Sequence, residues 1–257
     1  MSFLPSLVHQ AQQSPRFAAL RFRRPNSHTP YQLSQKILVA IRQLSYAARA
    51  DLAKIRSERT QTMDFHRAGG GGMASESLKD LRVAILVEDG FEHDELMKPR
   101  KALDEAGAHT SVVSPRPEKV RAWEMKEWGK TIPVDVPLER ASPDDFDALL
   151  LPGGVMNPDK LRIQPQAVAF VRAFFDANKP VAVICHGPWT VLEAKAVRGR
   201  KMTSWPSLQT DLRNAGAHWV DEECVVDGNM VSSRKPDDIP AFNRHMIELF
   251  SQAHANA

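Results

Sequence analysis

Between about residues 79 and 252 the sequence predicts a single doubly wound α/β domain, a mostly parallel sheet with helices on both faces (flavodoxin-like) and one small β-hairpin. Three observations predict it. Short apolar runs with no polar alternation, such as RVAILV (82–87), DALLL (147–151) and PVAVIC (180–185), read as strands buried on both faces. Segments with helical spacing of apolar residues lie between them, and Gly or Pro punctuates most junctions.

Taken in order, RVAILV is the first strand, and residues 93–107 form a helix with Leu96, Leu103 and Ala106 inward and Gly107 as its stop. HTSVVS (109–114) is the next strand. A polar interval carrying Trp123, Trp128 and Gly129 suggests the small hairpin, and DALLLPGG returns to a buried strand closed by glycines. A helix near 165–178, the strand PVAVIC, a helix from 188 and another near 206–215 ending at Gly216 follow. CVVDG and NMVSS pair as a hairpin through Asp227-Gly228, and residues 240–250 close with a helix.

Composition limits the function. The chain has 257 residues, 42% hydrophobic and 25% charged, which suits a globular domain. Its longest apolar stretches fall far below the roughly 18 residues of a spanning helix, so no membrane partner is expected. Two cysteines, Cys185 and Cys224, make neither a disulfide framework nor a metal-ligand spacing. That suits a reducing, cytoplasmic setting without structural metal.

The net charge of +3 is unevenly placed: residues 1–72 carry +8 and the rest −5. No basic stripe lies in the acidic remainder, so no nucleic-acid partner is expected for the domain. The first 50 residues hold no Asp or Glu, and GGGGM (69–73) marks a boundary. Residues 1–72 therefore read as a basic, poorly ordered N-terminal extension. The preferred account makes Met73 rather than Met1 the working start. A transit peptide, supported by an amphipathic spacing within 36–56, and a basic nucleic-acid arm are the competing accounts.

In such sheets ligands bind beyond the carboxyl ends of the strands, near the switch in strand order. Three polar strand ends converge there: LVEDGFE, LPGG and ICHG. A Cys on a tight strand-to-helix turn resembles the nucleophile elbow of hydrolases, where a helix N-terminus favours the thiolate and offers oxyanion donors. Each residue also has a plain structural role open to it. A lone Cys at a strand end is more often a small buried hydrophobe, adjacent residues such as Cys185 and His186 seldom point the same way, and Glu92 suits a first helical turn. Cys224 reads as core filling, and Trp189 as packing that also stands where it would wall a pocket.

Together EDGFEHDEL (88–96), LLLPGG (149–154), ICHGP (184–188) and the VRGRKMTSWPSL and DLRNAGAHWVDE segments resemble the ThiJ/PfpI superfamily, within the class I glutamine-amidotransferase-like fold. The resemblance covers residues 79–252. It implies that Cys185 is the nucleophile, His186 its neighbour and Glu92 the carboxyl group that contacts the thiol. It also implies that an acid just after the glycine loop, here Asp159, completes a peptidase triad from a neighbouring subunit, with Gly154 and the amides of His186 and Gly187 as oxyanion donors. A homo-oligomer, dimer or larger, follows from the same resemblance. No cofactor is expected.

A carboxylate beside a thiolate repels it, so that carboxyl group should be protonated and donate to the sulfur. The main expectation is a stress-response cysteine hydrolase of intracellular-peptidase type acting on peptides. The alternative is a glyoxalase or deglycase acting on methylglyoxal-type carbonyls, which gives the carboxyl group more to do. A third reading is a redox sensor or holdase without turnover.

Overall fold

The computed structural model describes residues 78–124 and 126–255. The expectations for residues 1–72 and for Met73 as the start lie outside the described residues.

The central sheet is assembled from β1 (Arg82–Leu86), β3 (His109–Ser114), β6 (Val136–Pro137), β7 (Ala148–Leu151), β8 (Val181–Ile184), β11 (Cys224–Asp227) and β12 (Met230–Ser233). Their order across the sheet is β11-β12-β8-β7-β1-β3-β6. Every neighbouring pair is parallel except β11 and β12, the hairpin expected at Asp227-Gly228. Gly228 takes φ +60° there, a conformation that favours glycine. Chain order runs outward from β1 to β3 and β6, then returns to β7 on the other side of β1. The switch point therefore falls between β1 and β7.

Both faces of the sheet are covered, which is why its strands are apolar throughout. Val83 and Ile85 of β1 join one core with Leu96 and Leu103 of α1 (His93–Glu105) and Phe242, Met246 and Phe250 of α6 (Ile239–His254). Ala84 and Leu86 face the other core with Phe170, Val171 and Phe174 of α3 (Pro165–Asp176), Val191 of α4 (Pro188–Glu193) and Leu212 of α5 (Gln209–Asn214). At roughly 1.5–3 kcal/mol for each large apolar side chain buried, these two layers dominate the drive to fold.

The Trp-containing interval is the hairpin of β4 (Lys119–Glu124) and β5 (Glu127–Pro133), and β4 also pairs with the two-residue β2 (Phe91–Glu92) to make a separate sheet at the rim. Several small elements were not expected from the sequence, β2 and β6 among them. Strands β9 (Lys201–Met202) and β10 (His218–Trp219) are two residues each, too short for any periodicity. Helix α2 (Met156–Arg162) carries Pro158 in its first turn, where the missing N–H would have had no intrahelical partner.

Candidate active site

The strand β8 ends at Ile184 and the backbone turns at once into α4. Cys185 sits on that turn at φ +60°, an unfavourable conformation for a residue with a side chain. Its surroundings fix it there. The Cys185 N–H donates to the Ser233 carbonyl at 3.0 Å, and its own carbonyl accepts from the Trp205 N–H at 2.9 Å. Gly187 lets this elbow press against β7, since a Cβ there would lie 2.7 Å from the Leu151 carbonyl oxygen.

The Cys185 sulfur receives the backbone N–H groups of Gly154 and His186. Two of the three expected oxyanion donors therefore already surround the thiol. The third is corrected: the Gly187 N–H is spent inside the turn, donating to the Ile184 carbonyl at 2.9 Å.

The contact assigned to Glu92 is also corrected. Glu92 caps α1, its carboxylate accepting from the Glu95 N–H at 2.9 Å, and it stands half-buried at the helix entrance. One helical turn on, Glu95 is wholly buried and its carboxyl group meets the Cys185 thiol. Glu95 Oε2 accepts from the Gly153 N–H at 2.9 Å, and Oε1 is buried without an N–H or O–H partner. Burial, with the charge of Glu92 adding to it, pushes the Glu95 carboxyl up to about 8. Glu92 itself moves up because of its partial burial. The phase of α1 separates them: Glu95 falls one residue before Leu96 on the inward face, whereas Glu92 precedes the helix.

With Glu95 ionised, burial and the Glu95 charge hold the Cys185 thiol well above its ordinary value, and the two amides only oppose that rise. The pair shares one proton, which can sit on either group. With the proton on sulfur the thiol donates to the Glu95 carboxylate, and with the proton on the carboxyl group the sulfur anion keeps two N–H donors. A neutral Glu95 then donates to the thiolate rather than repelling it.

His186 does come to the thiol despite being its chain neighbour. The positive φ of Cys185 lets its Sγ lie 3.2 Å from His186 Nδ1. Nε2 lies 3.4 Å from Ser207 Oγ, and the ring stands between Trp189, edge-on at 5.3 Å, and Trp205, stacked at 5.8 Å. Burial alone lowers its pKa to about 4, so no protonated imidazole stabilises a thiolate here at neutral pH. Asp159 lies exposed on α2 with no effect on His186 within the chain. Cys224 is partly buried against the core at the start of β11, its thiol pushed up to about 12 mainly by burial.

The glycine loop after β7 is shaped for this contact. A Cβ on Gly153 would stand 2.6 Å from Glu95 Oε2 and 2.7 Å from Cys185 Cβ. Gly154, at φ +77°, would collide with the Gly90 carbonyl. Asn157 on α2, missed in the sequence, is fully buried and bridges the loop to the end of β1. Among the described residues there is no group of three or more His, Cys, Asp or Glu suited to a metal ion, and no helix long and apolar enough to cross a membrane.

A strained cysteine elbow at the carboxyl edge of a doubly wound sheet, with a buried carboxyl group against its sulfur, defines a class of thiol-centred α/β proteins. The chain belongs to the DJ-1/PfpI family, whose pattern it matches over residues 81–249. It is 43% identical over 169 residues to a deglycase of Thermococcus kodakarensis, covering 66% of this chain and 99% of that one. It is 42% identical over 172 residues to general stress protein 18 of Bacillus subtilis, covering 66% and 98%. A putative cysteine protease of the same Bacillus is 41% identical over 168 residues, covering 65% and 97%. Among solved structures, a two-domain protein from Anabaena variabilis with DJ-1/ThiJ/PfpI-like and ferritin-like domains superposes with a TM-score of 0.62 at 36% identity, over 66% of this chain and 48% of that one.

Proposed function

We propose that the protein is a cysteine-dependent enzyme of stress response that acts on reactive carbonyl compounds of the methylglyoxal type, or on their adducts with amines, as a glyoxalase or deglycase. The observation that carries this reading is the buried Glu95 carboxyl group, raised to about 8, against the Cys185 sulfur. Carbonyl chemistry needs a group that gives and takes a proton at the reacting carbon, and a carboxyl poised near neutral pH suits that work. The deglycase names among the relatives favour the same reading over the peptidase first expected.

The chemistry balances without an outside oxidant. The Cys185 thiolate adds to the aldehyde carbon, forming a C–S bond, and the carbonyl oxygen takes the Glu95 proton while the Gly154 and His186 amides hold the developing charge. The Glu95 carboxylate then removes the proton from that carbon and returns it to the neighbouring carbon, while the hydroxyl proton on the first carbon passes to the neighbouring carbonyl oxygen, so that the first carbon is oxidised to a thioester and the second reduced to an alcohol. Water cleaves the thioester, releasing a 2-hydroxy acid and restoring the thiol. For a hemiaminal adduct the C–N bond breaks first: the amine takes the hydroxyl proton and leaves, and the aldehyde so released meets the thiolate.

The peptidase reading retains one specific support, His186 Nδ1 at 3.2 Å from the thiol. It requires Asp159 from a second copy to orient the imidazole, and therefore a homo-oligomer. A cytoplasmic site of action and an accessory extension at residues 1–72 accompany either reading. Methylglyoxal consumption and fluorescent-peptide cleavage, measured side by side, test the choice. Carbonyl turnover should be lost with Cys185→Ser and Glu95→Gln and survive Asp159→Ala. Peptide cleavage that requires Asp159 would overturn it.

A further inference from the structure

We propose that Asn157 is a positioning residue of the thiol site, holding the Gly153 and Gly154 amides against the Glu95 carboxyl and the Cys185 sulfur. The inference rests on the reading of Cys185 as the reactive group.

Asn157 is wholly buried, and a buried amide with no partners would be costly. Here its polar atoms are engaged. Oδ1 accepts from the Glu88 N–H at 2.7 Å, and Nδ2 donates to the carbonyls of Pro152 at 2.9 Å and Gly153 at 3.0 Å. One side chain thus joins the exit of β1 to the loop after β7, the two strands that flank the switch point.

The peptide units it grips are those that present the donors. The carbonyl of Pro152 belongs to the same peptide unit as the Gly153 N–H, which donates to Glu95 Oε2. The carbonyl of Gly153 belongs to the same unit as the Gly154 N–H, which donates to the Cys185 sulfur. Because a peptide unit is planar, fixing its carbonyl on one side fixes the direction of its N–H on the other. Each Nδ2 bond therefore sets one donor of the acid–thiol pair.

Releasing these bonds frees the Pro152–Gly153 peptide unit and leaves the Gly153 carbonyl with only the longer bond from the Glu92 N–H, at 3.3 Å, so that both donors lose their fixed direction. Loss of the Gly154 donor disfavours the thiolate, and loss of the Gly153 donor disfavours the carboxylate. A residue that served only to hold the fold would lower the melting temperature and leave the ionisation of the folded thiol alone.

The test is the pH dependence of Cys185 alkylation by iodoacetamide in the full chain carrying Cys224→Ser, with Asn157→Ala and with Asn157→Asp, which keeps the shape and removes the two donors. Circular dichroism and melting confirm folding in each. The proposal expects the alkylation midpoint of folded variants to rise by about one pH unit, the size of one lost hydrogen bond to an anion. It also expects kcat for methylglyoxal to fall with KM little changed. Folded variants with the wild-type midpoint would overturn it, as would failure of both variants to fold, which would make Asn157 a structural residue. A wild-type midpoint no lower than that of a free thiol would instead remove the reading of Cys185 on which the inference rests.

Discussion

The two cysteines stand on either side of one residue. Cys185 donates its N–H to the Ser233 carbonyl from β8, and Cys224 is paired with Ser233 from β11. Both thiols are withdrawn from water, and burial raises both. They differ in what faces the sulfur. Cys185 has two amides and a buried carboxyl group, whereas no amide or carboxyl hydrogen bond acts on the Cys224 thiol, which sits among apolar side chains and more distant charges. Burial raises both thiols, and on the proposed reading it is the two amides and a neutral carboxyl group that set Cys185 apart as the reactive one.

The largest effect expected is that of Cys185→Ser, which should reduce methylglyoxal turnover by about 1,000-fold or more, because the hydroxyl lacks the ionisation that makes the thiol a nucleophile. Steady-state rates check it, with Cys224→Ser as the contrast that should retain wild-type turnover.

Glu95→Gln follows. The amide still fills the site and can donate to the sulfur, yet it cannot carry a proton to and from carbon, so turnover should fall by about 100-fold or more while alkylation of Cys185 persists. The same variant should alter stability. Glu95 is raised from 4.5 to about 8 in the folded protein, so the native state holds that proton more tightly. Its contribution is complete below the unfolded value and is lost as the pH rises toward the folded one. The wild-type melting temperature should therefore decline between about pH 5 and pH 8 more steeply than that of Glu95→Gln.

Gly153→Ala should come next, since a Cβ at that position presses on both Glu95 Oε2 and Cys185 Cβ. Displacement of the pair by a fraction of an ångström to one ångström should cost about 100-fold in kcat/KM, with the thiol still titratable. The smallest effect is expected of Glu92→Gln. It keeps the helix cap and removes only the charge that adds to the burial of Glu95, so turnover should stay within a few-fold of wild type, with its pH dependence moved slightly to lower pH, and the melting temperature should barely move.

That pair of glutamates shows what was legible in the sequence. The strands, the larger helices and both hairpins announced themselves through continuous apolar runs, helical spacing and Gly stops, because these are consequences of burial on two faces. The elbow was legible as ICHG, since a Cys before a glycine at a strand end is a local pattern. The proton partner was not, because EDGFEHDEL offers five acids after β1 and only the three-dimensional phase of α1 decides which one enters the core. Asn157 was invisible for a similar reason: its partners come from the loop after β7 and from Glu88, 69 residues away. The spent N–H of Gly187 follows from the turn's own hydrogen bond, which no residue type reveals.

The measurement that tests the central claim most directly is the alkylation rate of Cys185 against pH in the Cys224→Ser protein, native and denatured. The account predicts a native midpoint well below the free-thiol value of about 8.5, returning to that value on denaturation. A native midpoint at or above it would show a buried thiol like Cys224 and would contradict the assignment of the proton to Glu95.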